Sequence, residues 1–108
     1  DRLKQDHENA RFLADGLAKI PGINVNLDNV QTNMAFFDVA ALGINAKTFA
    51  NQLLKGHSIK VDPRANTLVR AVTYKDVLRE DVEYVLAAVR EIAAAQLQRN
   101  KIAAGNSA

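Results

Sequence analysis

Over residues 3–20 the apolar positions fall three or four apart, at Ala10, Leu13, Leu17 and Ile20 after Leu3, with His7 filling the gap in the stripe. That spacing predicts an amphipathic helix with one face turned to a core, ended by Pro21 and Gly22. The pattern then changes to alternation. In "INVNL", residues 23–27, Ile23, Val25 and Leu27 alternate with Asn24 and Asn26, as in a half-exposed strand. "DNVQT" behind it is turn-rich. "NMAFFDV", residues 33–39, is apolar on both faces and reads as a central strand. Asn45 suits the N-cap of a second helix whose face is Ala46, Phe49, Ala50, Leu53 and Leu54, with Gly56 as its C′ residue. "SIKV", residues 58–61, alternates as a strand near an edge, and "DPRAN" turns the chain into a further strand, "TLVRAVTY". The last helix is the most regular, with Val82, Val85, Leu86, Val89, Ile92, Ala93 and Gln96 on one face. "KIAAGNSA" has no periodicity and is expected to fray.

The order helix, strand, strand, helix, strand, strand, helix predicts an α+β fold, a small antiparallel or mixed sheet covered by helices on one face. Residues 1–98 make one domain and residues 99–108 a disordered tail. The second sheet face is then free, or covered by something outside this chain. Arg70 makes that matter. On a strand it shares a face with Leu68 and Val72, while Val69, Ala71 and Thr73 fill the other. A guanidinium inside a sheet is costly unless it is paired. It can snorkel at an edge or pair with Asp62 or Asp76. It can also stand as a fixed fork awaiting a carboxylate or phosphate.

Composition narrows the rest. The chain has 108 residues, enough for one domain and its core. Fourteen basic against twelve acidic residues leave a net charge of +2, with the charges interspersed, so no nucleic-acid surface is expected. With no cysteine, disulfides and thiol chemistry are excluded. No apolar run approaches the roughly 18 residues of a membrane span, no signal-peptide pattern opens the chain, and a cytoplasmic location is expected. His7 and His57 belong to no metal-binding spacing; His7 reads as a packed residue and His57 as exposed. Glu80, Asp81 and Glu83 at the start of the last helix complement its dipole. The chain contains no phosphate-binding glycine loop or nucleophile elbow.

"VRAVTYKDVLREDV", residues 69–82, resembles the C-terminal segment of the pyridoxal-phosphate-dependent threonine aldolases, which reads approximately R-x-V-T-H-x-D-V-S-x-E-D-V. "DHENARFLADGLAKIPGI" resembles the family's helix leading into the small domain, and "VQTNMAFFDV" its V-x-T-N-hydrophobic strand. "LLKGHSIKV" takes the place of its helix-Gly-strand step. The likeness covers residues 2–98. It implies the small domain of an aminotransferase-like fold, with the cofactor lysine on a large N-terminal domain that this chain lacks. It also implies that Arg70 binds the α-carboxylate of the amino-acid substrate. Tyr74 stands where the family has His, which leaves that side chain's role open. Leu78 stands where a Ser commonly caps the last helix, which weakens the cap by about 1 kcal/mol unless Asp76 takes over.

The resemblance thus implies part of an aldolase that cleaves threonine or a related β-hydroxy-α-amino acid to glycine and an aldehyde. Its cofactor is pyridoxal 5′-phosphate, its partners are the large domain and, in the intact protein, further copies of itself. Alone, the chain is expected to be inactive. Two other readings fit the pattern of residues: a stand-alone ligand-binding module, and a dimerising domain in which Arg70 serves a salt bridge.

Overall fold

A computed structural model describes residues 2–30, 33–73 and 77–106. Its main elements are α1 (Arg2–Ala18), β1 (Met34–Asp38), α2 (Ala46–His57), β2 (Asp62–Pro63), β3 (Leu68–Val72) and α3 (Arg79–Asn106). The strands form one antiparallel sheet in the order β1-β3-β2. The expected α+β fold, with helices over a small sheet, is what forms. Alternation sorts the strands into two faces. Ala35, Phe37, Val69 and Ala71 point to the helices and are buried; Leu17, Phe49, Leu53, Val82 and Val89 close over them. Phe37 and Phe49 meet edge to face, with ring centroids 5.7 Å apart.

Several strand predictions require correction. "INVNL" contributes only one bridging residue: Asn24 exchanges two backbone hydrogen bonds with Asp38 (3.0 and 2.8 Å). Beyond it, the Asn26 side chain accepts from the Asp28 N–H and caps a 3₁₀ turn, Leu27–Asn29, diverting the chain from the sheet. β1 is therefore an outer strand, and β3 is the central one. "SIKV" is not a strand. Ser58 takes a left-handed conformation (φ 57°), and the backbone N–H groups of Ser58 and Ile59 bond back to the end of α2. Pairing with β3 starts only at Asp62, and Pro63, which has no N–H, keeps that short strand at an edge.

The helices follow the periodicity more closely. Asn45 caps α2 by accepting from the Thr48 N–H at 2.8 Å. The helix runs through Gly56, the expected stop, because Tyr84 on α3 donates to the His57 carbonyl at 3.0 Å and satisfies a terminal acceptor. His57 is half-buried rather than exposed, beside Tyr84 and 3.8 Å from Glu91. His7 is exposed, not packed; Asn9 and Ala14 lie in the buried stripe of α1. Asn9 donates to the Val77 carbonyl at 3.1 Å, and Thr73 donates to the Asp6 carbonyl at 3.1 Å. After α1, Gly22 turns the chain at φ 89°, where a Cβ would collide with the buried Leu42.

α3 continues to Asn106, past residue 98 and through most of the expected tail. Asn100 ties that extension to the body by donating to the Leu42 carbonyl at 2.8 Å. The alanines around it sustain helix where no apolar stripe exists. At its other end, Leu78 cannot cap with its side chain. Asp81 reaches back instead and accepts from the Leu78 N–H at 2.8 Å, half of a capping box; Asp76 lies outside the described residues. Leu78 is half-exposed, so Leu78→Ser loses little packing and completes the box. The expected result is a gain of about 1 kcal/mol and a higher melting midpoint, with Asp81→Ala moving the midpoint the other way in the same thermal melts.

Candidate functional site

The face of the sheet turned away from the helices carries Met34, Phe36 and Asp38 from β1, and Leu68, Arg70 and Val72 from β3. None of the six is fully buried, and Val72 is exposed. Arg70 occupies the middle of this open face. Its register partners are Phe36 on one side and Asp62 on the other. Beside Phe36, an open hollow of about 490 Å³ lies at β1, lined also by Asn24, Asp38 and Leu68.

Arg70 does have an intramolecular partner. Its Nη2 donates to Asp62 Oδ2 at 2.5 Å, and Arg64 Nη1 donates to the same oxygen at 3.3 Å. Of the two partners that the sequence allowed, Asp62 is the one observed. The tight turn from β2 to β3, closed by Arg64 N–H to Leu68 O at 2.8 Å, puts it directly across from Arg70. The arginine side chain keeps 29% of its exposure and the aspartate 40%, so the pair is screened by water and is weak as a stabilising device. Arg70 Nε is shielded from solvent and has no hydrogen-bond partner among the described residues.

The guanidinium is thus fixed at its base by the central strand and held at one terminal nitrogen by a single carboxylate oxygen. That arrangement can receive a small anion on the remaining terminal donors. Tyr74, the other residue singled out in this segment, lies outside the described residues. Arg64 and Phe36 were not anticipated as parts of the site. Arg64 is two residues after Asp62, on the same side of an extended segment, a signal the sequence did contain. Phe36 becomes visible only through the β1–β3 register. Among the described residues no group of three or more potential metal ligands occurs, and no helix is long and apolar enough to cross a membrane.

No family model matches the chain. It is similar to two proteins of Arabidopsis thaliana. A probable low-specificity L-threonine aldolase 2 is 33% identical over 91 residues, covering 84% of this chain and 26% of that protein. A low-specificity L-threonine aldolase 1 is 29% identical over 90 residues, covering 83% and 25%. The chain therefore spans about a quarter of the length of these relatives. Among solved structures, a NifS-like protein superposes with a TM-score of 0.70 at 23% identity, over 85% of this chain and 28% of that one, a likeness of fold. The sequence likeness makes this chain a homologue of a segment of these threonine aldolases.

Proposed function

We propose that this chain is the C-terminal small domain of a pyridoxal-phosphate-dependent aldolase. The intact enzyme would cleave the Cα–Cβ bond of threonine or a related β-hydroxy-α-amino acid to give glycine and an aldehyde. Arg70 is its substrate-carboxylate residue. The observation that carries this reading is the guanidinium held by a central strand on the sheet face that no helix among the described residues covers. The aldolase relatives, four times as long as the matching segment, supply the reaction class.

The lysines among the described residues do not fit the holding of pyridoxal phosphate. A Schiff-base lysine has its amine desolvated or beside another cation, whereas Lys4, Lys19, Lys47, Lys55, Lys60 and Lys101 are all exposed. The cofactor is therefore assigned to the part of the enzyme outside this chain, where it supplies the electron sink for bond cleavage. What Arg70 supplies is orientation: two parallel hydrogen bonds to the α-carboxylate restrict the rotation of the substrate about Cα.

The ion pair with Asp62 favours a second reading, in which Arg70 serves the sheet alone. Kinetics and stability measured on the same variants of the intact enzyme separate the two. For a substrate fork, Arg70→Lys keeps the charge but loses the bidentate geometry and lowers kcat/KM by about ten- to a hundredfold, the loss of a charge-assisted hydrogen bond. Arg70→Ala costs more, while the melting midpoint moves little. For a structural arginine the midpoint falls and kcat/KM stays near that of the parent; that result removes Arg70 from the site.

The chain on its own is expected neither to bind pyridoxal phosphate nor to cleave threonine. Borohydride reduction followed by peptide mapping checks this: a pyridoxyl adduct confined to one lysine, Lys60 for example, contradicts the assignment of the cofactor to the rest of the enzyme.

A further inference from the structure

We infer that Asp62 is a positioning residue that aims the Arg70 fork at the substrate carboxylate, an inference that rests on the function proposed above. The strand fixes the backbone of Arg70 but not its guanidinium, which ends a long side chain rich in rotamers. The covering of Nε limits that freedom only in part. Asp62 limits it directly, as the register partner of Arg70 with one carboxylate oxygen on Nη2. Asp62 is itself restrained. Pro63 follows it with a fixed φ, and Arg64 donates to the same oxygen from the adjoining turn.

The donor count leaves room for a ligand. A guanidinium has five N–H groups; one is used by Asp62, and the one on Nε is shielded. The three others lie on the terminal nitrogens, and a carboxylate bound end-on, across Nη1 and Nη2, takes two. The charge count agrees. Two guanidinium groups face one carboxylate in the Asp62–Arg64–Arg70 cluster, and a substrate carboxylate neutralises the surplus. Asp62 therefore prepares the fork without exhausting it, and ordering it beforehand lowers the entropy lost on binding.

The experiment uses the intact enzyme with threonine as substrate and follows KM, kcat and the melting midpoint. Asp62→Ala frees the fork, and KM is expected to rise about tenfold, within the range of direct couplings between touching residues, with kcat changing far less. Asp62→Asn keeps an acceptor oxygen in place and should recover most of the loss. In an Arg70→Ala background, Asp62→Ala should add nothing to KM, because its effect runs through Arg70; a residue that only supports the edge strand would act equally in both backgrounds. If Asp62→Ala does not fold, Asp62→Val, better suited to a strand and equally unable to accept, replaces it. An unchanged KM overturns the inference. So does a lowered KM, which would mean that Asp62 competes with substrate for the fork. These failures are distinct from failure of the proposed function, in which Arg70→Ala itself leaves kcat/KM unaltered.

Discussion

A sheet has two faces, and the helices among the described residues of this chain cover only one of them. Most of its structure answers that inequality. Ala35, Phe37, Val69 and Ala71 are buried because α1, α2 and α3 all pack on their side. The apolar residues of the other side, Met34, Phe36, Leu68 and Val72, are left part-covered or bare. Burial of apolar area is the main favourable term in folding, so the helical side carries the stability of the domain. The open side is correspondingly free to hold a residue chosen for something other than packing. An arginine in the central strand is tolerable there and would be prohibitive one residue away, at Val69 or Ala71, where the side chains turn inward.

Much of this was legible in the sequence because it depends on period. Stripes at Leu13, Leu17 and Ile20, and at Val82, Leu86 and Val89, give helices wherever the chain is read, and Asn45 announces its own cap. The two-sided character of "TLVRAV" placed Arg70 on the face opposite Val69 and Ala71, as observed. What period could not supply was local competition and distant company. Asn26 and Ser58 each spend backbone or side-chain hydrogen bonds on turns, which removes two expected strands. His57 owes its half-burial, and α2 its last residue, to Tyr84, which lies 27 positions further along. Asn100 holds the end of α3 by a bond spanning 58 positions, where composition suggested a loose tail.

The candidate site divides in the same way. Arg70 stood out because it breaks an apolar pattern. Its partner did not, since Asp62 and Asp76 both lie within eight positions of Arg70 and only the β2–β3 hairpin sets Asp62 directly across from it. Arg64 is marked only by its spacing of two from Asp62, and Phe36 carries no signal before the register is known. A charged residue is thus found by its conflict with its surroundings, whereas the groups that resolve the conflict are found by register.

The two bonds from α1 to the chain around β3 have a consequence for how this domain can change over generations. Asp6 accepts from Thr73 and Asn9 donates to Val77, so one helix grips the main path on both sides of residues 74–76. Asn9 and Thr73 are also the two buried polar side chains among the described residues. Replacing Thr73 by Val removes a buried hydroxyl, and the Asp6 carbonyl it served lies inside α1 with a helical partner of its own. Replacing Asn9 by Leu, by contrast, takes the side-chain donor from the Val77 carbonyl, which precedes α3. The first position can drift alone; the second can drift only if the segment leading into α3 finds another donor. Inheritance at these sites is therefore asymmetric, with Asn9 held in place by a carbonyl 68 positions away whose own side chain has no part in the bond.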